Sequence, residues 1–241
     1  MQIIEEIMTD SRLKQIVDAV TRIDGQAPSS SLSKHAKMAT SPFVFYRGSA
    51  QLFYADIKAS LIDIPSECSS TPLTSIMGDC HTSNFGFLTE EGSHGDTVIF
   101  SPNDFDDACV GKAEWDVLRY LTSLHLAKQH CAGVIEGVYA CDEINTAKPV
   151  VSHQHVIAAQ FAFLDRYIDT CNRVVENALV LNEAVNYNPN ATPSRLTKLY
   201  KKRQPEAQAE KNSLQKARWQ KRFTSTVKPL RLKPTKISTL N

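Results

Sequence analysis

The sequence has no long run of apolar residues and no pair of cysteines in a C-x-x-C arrangement. No segment approaches the roughly 18–20 apolar residues that a membrane span needs. The opening residues, MQIIEEIMTD, do not join a basic stretch to a following apolar stretch as a secretion signal does. The six cysteines occur singly, which gives a zinc site little support. We therefore expect a cytoplasmic protein with reduced thiols and no membrane partner.

Glycine is scarce in the second half of the chain. Of the 9 glycines, only Gly133 and Gly137 follow residue 131. A nucleotide-covering loop is rich in glycine because the backbone must approach the phosphates closely. This half of the chain therefore contains no glycine-rich nucleotide loop, and it also contains no V-x-[IV]-K strand.

Charge is divided unevenly along the chain, although the formal net charge is only +1. From residue 195 onwards there are 14 Lys and Arg and 2 Asp and Glu, whereas the residues before it hold 13 Lys and Arg and 24 Asp and Glu. The predicted organisation is a helical extension over 1–32, a core domain over 33–190 and a basic, partly disordered tail over 191–241. Solvation of the tail is favoured over nucleic-acid binding, because the tail has few aromatic residues and no recognition motif.

Apolar residues recur at helical spacing over most of the first 180 residues. Helices are predicted over 3–23 with a break near 9–11, over 33–40 with Pro42 ending the helix, and over 48–62, 113–131, 151–180 and 206–222. The candidate core residues of the 48–62 helix are Leu52, Phe53, Ala55, Ile57, Ala59 and Leu61. Together these segments predict a helix-rich protein.

A small β element interrupts the helices. Short strands are predicted over 73–77, 85–88 and 97–100, after a turn over 68–72. The predicted fold class is therefore α+β and helix-rich, with the densest set of polar residues in the loops of the β element.

Two acidic loops follow strand candidates: GDCHTSN at 78–84 and NDFDD at 103–107. Magnesium typically takes one or two carboxylates together with substrate phosphates and water. An aspartate beside those phosphates can orient an attacking hydroxyl and accept its proton, and phosphoryl transfer needs little beyond such positioning and charge neutralisation. Turn chemistry explains each of these residues singly, but their order and their place at strand ends favour a shared site.

The two loops resemble the catalytic core of the kinase-like superfamily in its aminoglycoside-phosphotransferase and choline-kinase form. In that core a loop of the type H-G-D-x-H-x-x-N is followed by a strand and then by I-D-[FW]-[DE]-x-A. The resemblance implies that Asp79 is the catalytic base. It also implies that Asn84 and Asp104 bind Mg²⁺, that Asp106 assists them, and that ATP is the second cofactor.

Three further residues bear on this resemblance. Asp116 matches the aspartate that opens the next helix and supports the catalytic loop. His81 is expected to orient the loop, because the other motifs of a metallophosphoesterase, in which such a histidine would bind metal, are missing. Met77 is a departure, since the superfamily often has His at that position.

Four ordered segments resemble the bacterial domain-of-unknown-function family 2252, which belongs with the kinase-like folds. They are KMATSPFVFYRG at 37–48, the two acidic loops, and WDVLRY at 115–120, and the resemblance extends over residues 33 to 130. It implies a kinase-like C-lobe but no substrate. Arg47, at the end of the first segment, is a candidate for binding the nucleotide phosphates, with bracing of an acidic side chain as the alternative. Arg119 is expected to pair with a nearby acid.

The resemblance also implies parts that the sequence does not contain. A kinase holds ATP with a glycine-rich loop and a lysine on a strand, so an N-lobe is expected to be missing, either by truncation or because a separate chain supplies it. The predicted function is an ATP- and Mg²⁺-dependent phosphotransferase of unknown acceptor, or an inactive remnant of one. The alternative is a non-catalytic pseudoenzyme or interaction module, and nucleic-acid binding through the tail is a weaker third.

Overall fold

The computed structural model describes residues 2–69, 71–89, 98–140 and 150–176. Side chains are described from residue 11 onwards, apart from those at 69, 87–89 and 98–99. One compact unit comprises Met1–Gly86 and Phe100–Val185, and strand residues 87–89 and 98–99 belong to a second unit. The predicted helix over 206–222 and the basic tail lie outside the described residues.

The described residues form long helices and short strands, which confirms the predicted α+β, helix-rich class. The helices are α1 (Gln2–Asp24), α2 (Ser33–Met38), α3 (Pro42–Arg47), α4 (Ala50–Lys58), α5 (Ser66–Ser69), α6 (Ala113–Ile135) and α7 (His153–Val175). The strands are β1 (Leu73–Ile76), β2 (Phe85–Thr89), β3 (Val98–Pro102) and β4 (Cys109–Lys112).

Two helix boundaries near the N-terminus correct the sequence prediction. Helix α1 continues without a break through residues 9–11. Pro42 does more than end a helix, because it is the first residue of α3, where a missing N–H costs no hydrogen bond. The hydroxyl of Ser41 caps α3 by accepting a hydrogen bond from the Val44 N–H at 3.3 Å.

The helix predicted over 48–62 is shorter than its apolar pattern suggested. Helix α4 ends at Lys58, and Ser60 adopts a left-handed conformation with φ of 55°. Leu52 and Phe53 are buried as predicted, but Leu61 is 54% exposed because it lies beyond the end of the helix. Residues 68–72 also differ from the predicted turn, since α5 extends over Ser66–Ser69.

Two pairs of strands make up the β structure. Strands β1 and β4 are antiparallel, with Leu73 opposite Lys112 and Ile76 opposite Cys109, and β2 pairs with β3. Strand β4 was not predicted, because it is only four residues long and exposes its single large apolar residue, Val110. Because Cys109 lies opposite Ile76, the 104–107 turn that precedes β4 lies beside the loop that follows β1.

Helix α6 is the centre of the unit, since α3, α7, β1 and β4 all pack against it. The buried apolar residues of the described part are Ala19, Val20, Met38, Phe43, Ala50, Leu52, Phe53, Ile76, Met77, Cys80, Val134 and Val156. Polar side chains are buried beside them, including Arg119 and His81, and these belong to the site described below. Within the described ranges, no helix is long and apolar enough to cross a membrane.

Candidate functional site

The loop after β1 is held by the carboxylate of Asp116, in the first turn of α6. The Met77 N–H donates to Asp116 Oδ2 at 2.6 Å, and the Gly78 N–H donates to Oδ1 at 3.1 Å. Burial raises the pKa of Asp116, and the two backbone hydrogen bonds offset that rise only in part. The side chain therefore fixes where the chain leaves the strand and turns toward Asp79.

Gly78 is the point at which the two acidic loops come into contact. Its φ of 85° is in the left-handed region, which glycine adopts without strain. A Cβ atom at this position would overlap the backbone carbonyl of Asp107. The hydroxyl of Tyr54 also donates to the Gly78 carbonyl oxygen at 2.5 Å. The absence of a side chain at Gly78 thus allows the turn over 104–107 to lie against the Asp79 loop.

A second connection between the loops runs through Asn84. The Asn103 N–H donates to the Asn84 carbonyl oxygen at 3.2 Å. The side-chain nitrogen of Asn84 donates to the backbone oxygen of Asp79 at 3.1 Å, so its amide oxygen is not used in that bond. The backbone contacts therefore bring Asp79, Asn84 and the start of the 104–107 turn into one region.

Asp79 forms an ion pair with Arg119, which has no solvent exposure. Arg119 donates to Asp79 Oδ1 through Nε at 2.9 Å and also through Nη2. Nη2 additionally donates to the Tyr46 carbonyl oxygen at 2.7 Å. The guanidinium lies 4.3 Å from the ring centroid of Tyr46 and 5.4 Å from that of Phe53. Arg119 Nη1 is buried without a hydrogen-bond partner in the part of the chain that the structure describes. Asp79 is the carboxylate that forms the ion pair with this buried charge, and Asp116 adds a weaker electrostatic interaction.

His81 approaches the other oxygen of Asp79. Its Nδ1 accepts a hydrogen bond from the Ser83 N–H at 3.2 Å, which assigns the ring proton to Nε2. Nε2 lies 3.3 Å from Asp79 Oδ2. Burial by itself would raise the pKa of Asp79, but the hydrogen bond from His81 and the charge and hydrogen bonds of Arg119 outweigh it, so the pKa lies below its ordinary value. Asp79 is therefore an ionised carboxylate.

The two acidic loops offer few side chains that could bind a metal ion. In the ranges that the structure describes, no group of three or more His, Cys, Asp or Glu side chains is arranged to hold a metal ion. Asp104 and Asp106 are exposed, and the Asp106 N–H lies 3.5 Å from Asp104 Oδ1. Magnesium that arrives with phosphates needs only one or two carboxylates from the protein. Asn84, Asp104 and Asp106 carry oxygens of the type that such an ion takes, and their assignment to Mg²⁺ stays a prediction.

Arg47 is the predicted site residue for which no contact with the acidic loops is found among the described residues. It is exposed in the last turn of α3, and its guanidinium lies 5.8 Å from the ring centroid of Phe43. Its assignment to nucleotide phosphates stays a prediction.

Several residues that shape the site were not singled out from the sequence. Ser123 is completely buried, and its hydroxyl accepts a hydrogen bond from the Thr82 N–H at 3.0 Å. Tyr46 and Tyr54 reach the site from α3 and α4. Of these residues, only Tyr46 lies in a segment that the sequence analysis connected with the site, the one at 37–48. Tyr54 and Ser123 lie in ordinary helical patterns, which give no indication of a role in the site.

Comparisons with known proteins bear on the family and not on the activity. No curated protein and no solved structure matches the chain. A family model covers residues 26–135, which include all the predicted site residues, from Arg47 to Asp116, and Arg119 as well. The family is described as "Uncharacterized protein conserved in bacteria (DUF2252)", and this match supports the family resemblance predicted from the four ordered segments.

Proposed function

We propose that this chain binds Mg²⁺ together with nucleotide phosphates at its two acidic loops and acts as a phosphotransferase-type protein. The observation that supports the proposal is the packing of the 104–107 turn against the loop of an ionised Asp79, through Gly78 and through the Asn84–Asn103 hydrogen bond. Phosphoryl transfer depends mainly on such positioning of metal and nucleophile.

The proposed role of each side chain follows from its oxygen atoms and its charge. Asn84 and Asp104 would hold the metal ion and Asp106 would assist them, with phosphate and water completing the coordination. Asp79 would orient an acceptor hydroxyl. Its lowered pKa makes it a weak base, but the transition state of phosphoryl transfer is loose, so orientation counts for more than proton abstraction. Asp116 would support the loop.

The nucleotide has fewer predicted anchors here than in a kinase. The sequence lacks a glycine-rich loop and an anchoring lysine strand after residue 131. We therefore propose that ATP is held mainly through Mg²⁺ and its phosphates, with Arg47 or a separate polypeptide adding contacts. The acceptor is a small molecule or another substrate whose class the site does not specify.

The test is a thermal-shift titration of the full chain with Mg²⁺ and ATP, separately and together. A ligand that binds only the folded state stabilises it by RT ln(1 + [L]/Kd), so the melting temperature rises with ligand concentration. We expect a rise that needs both ligands, is lost in Asp104→Asn and persists in Asp107→Asn. The second variant removes the same charge from the same turn, at a residue whose contact with the loop is through its backbone. Equal loss in both variants would indicate general electrostatics instead of a metal site.

A non-catalytic interaction module is the second candidate, and one observation favours it. Both carboxylate oxygens of Asp79 already face protein partners, Arg119 at Oδ1 and His81 at Oδ2. An aspartate held in this way also serves as an anchor of the core. No thermal shift with Mg²⁺ and ATP at millimolar concentrations, together with no phosphotransfer, would favour this candidate over the first.

A further inference from the structure

A cavity separate from the acidic loops lies between α1, α3, α4 and α6. Its volume is about 370 Å³, which is within the range of small-molecule sites. The apolar lining residues are Ile16, Phe45, Leu52, Phe53, Ile62 and Leu118. Two of its other lining residues, Arg12 and Asp56, join α1 to α4 through a bidentate ion pair with distances of 2.8 and 2.6 Å. The cavity is therefore mostly apolar, and its two charges compensate each other.

The polar groups of the lining determine which ligands are compatible. The Ser49 hydroxyl donates to the Phe45 carbonyl oxygen at 2.7 Å. Burial raises the pKa of Tyr46, and its hydroxyl donates to the Arg119 carbonyl oxygen at 3.1 Å. Because these hydrogens are already used, the hydroxyl oxygens of Ser49 and Tyr46 have only acceptor capacity left. The third hydroxyl of the lining, that of Thr122, is hydrogen-bonded to Tyr46, so the Ser49 oxygen is the acceptor that remains for a ligand. A matching ligand would carry one O–H or N–H donor.

Charge narrows the ligand class further. Both terminal nitrogens of Arg12 are bound by Asp56, so an anionic ligand would find no unpaired cation in the lining that the structure describes. Burying a charged group without a partner is costly. Three of the lining residues, Phe45, Tyr46 and Phe53, are aromatic, and aromatic rings pack favourably against one another.

We propose that this cavity is a binding site for a neutral aromatic molecule of about bicyclic size that carries a single hydrogen-bond donor. The site is distinct from the acidic loops. Tyr46 and Phe53 line the cavity, and the guanidinium of Arg119 lies against the same two rings. An occupant therefore packs against the rings that support the partner of Asp79.

The probe is 1-naphthol, and its own fluorescence reports binding to the full chain. We expect saturable binding of one molecule per chain. 1-Naphthoate, which has the same rings and a carboxylate, should bind about tenfold more weakly or less, because its charge is buried unpaired. Equal or tighter binding of 1-naphthoate would overturn the neutral ligand class, and an absence of saturable 1-naphthol binding would overturn the site.

Two variants locate the probe within the cavity. Ile16→Phe fills the cavity from α1, whereas Leu13→Phe adds the same ring on the same helix at a residue that is 59% exposed and does not line the cavity. We expect Ile16→Phe to weaken 1-naphthol binding about tenfold or more, because the ring occupies volume that the ligand needs. Leu13→Phe should leave binding unchanged. Equal effects of the two substitutions would contradict the assignment.

Ser49→Ala tests the acceptor and needs no change of volume that could disturb folding. Ser49 precedes α4 but forms no side-chain capping hydrogen bond, so the change costs no cap. It does remove the hydrogen bond from the hydroxyl to the Phe45 carbonyl oxygen, which still accepts the Gly48 N–H. We expect 1-naphthol binding to weaken about threefold to tenfold, the usual contribution of one hydrogen bond, and naphthalene binding to stay the same. An equal effect on both probes, or an effect on neither, would show that the hydroxyl oxygen of Ser49 is not the ligand's acceptor and would overturn the proposed donor requirement.

Discussion

The buried charge of Arg119 makes Asp79 a structural residue as well as a candidate functional one. The guanidinium is completely buried, and Asp79 is its acidic partner. Removing one member of a buried ion pair costs more than the pair itself contributes, because an uncompensated charge is left behind. Any loss of activity in an Asp79 variant must therefore be separated from a loss of folded protein.

Asp79→Asn is expected to lower the free energy of unfolding by about 3–5 kcal/mol, since it leaves Arg119 uncompensated. Asp104→Asn, a matched change at an exposed residue, should change it by less than about 0.5 kcal/mol. Urea denaturation measures both. Adding Arg119→Met to Asp79→Asn should cost less than the sum of the single changes, and strict additivity would argue that the two side chains do not interact.

The two partly buried aspartates of the site, Asp79 and Asp116, are expected to have pKa values shifted in opposite directions from the ordinary value of 3.8. Asp79 should titrate below that value and Asp116 above it, as measured by carboxyl ¹³C NMR. Stability from Asp79 is then fully present above pH 3.8 and is lost as the pH falls through the lower folded pKa. The contribution of Asp116 to stability depends on pH in the opposite way. It is fully present below pH 3.8 and is lost as the pH rises through the raised folded pKa. A common shift of both would contradict the environments described above.

Asp116→Asn tests whether the Asp116 carboxylate holds the loop that follows β1, because it replaces one of the two accepting oxygens with an NH₂ group. The carboxylate accepts one N–H at each oxygen, whereas an asparagine offers one oxygen and turns its own NH₂ group toward the other donor. We expect a loss of about 1–3 kcal/mol in the free energy of unfolding, the cost of one buried unsatisfied group. Amide hydrogen exchange should be faster at Met77 or Gly78 than in the unmodified protein, and unchanged exchange at both would contradict this role.

At the scale of elements, the sequence predicted most helices but not the parts that bring the site together. Periodicity located α1, α6 and α7 because long helices repeat their apolar spacing many times. It missed β4, because these four residues form a strand only through their pairing with β1, which a local pattern does not show. It also missed the role of Gly78, because close approach to Asp107 is a tertiary contact between segments far apart in the chain.

Gly78→Ala is expected to separate the two acidic loops. It combines left-handed strain with overlap against the Asp107 carbonyl, and should cost about 2–5 kcal/mol. Gly25→Ala is the matched control, because Gly25 has φ of 70° but has open space at its Cβ position. That change should cost only the strain, about 1–2 kcal/mol. Thermal denaturation compares them, and equal costs would argue against the close approach of the loops.

At the scale of the whole described unit, α6 joins the site to the outer helix α7. Its first turns hold Asp116 and Arg119, and Tyr120 on the same helix contacts Phe163 of α7 with ring centroids 4.5 Å apart. Gln160 also donates to the Leu121 carbonyl oxygen at 3.1 Å. Packing of α7 should therefore contribute to the stability of the helix that carries the two site residues.

Phe163 and Phe161 provide a matched pair for measuring that contribution. They lie two residues apart on α7, and Phe161 is 63% exposed whereas Phe163 is half-buried against Tyr120. Phe163→Ala should lower the free energy of unfolding by about 1–3 kcal/mol, less than a fully buried phenylalanine would lose. Phe161→Ala should change it by less than about 0.5 kcal/mol. Equal costs of the two substitutions in urea denaturation would show that Phe163 does not pack on α6 more than Phe161 does. The contact between Phe163 and Tyr120 would then not contribute to the stability of α6.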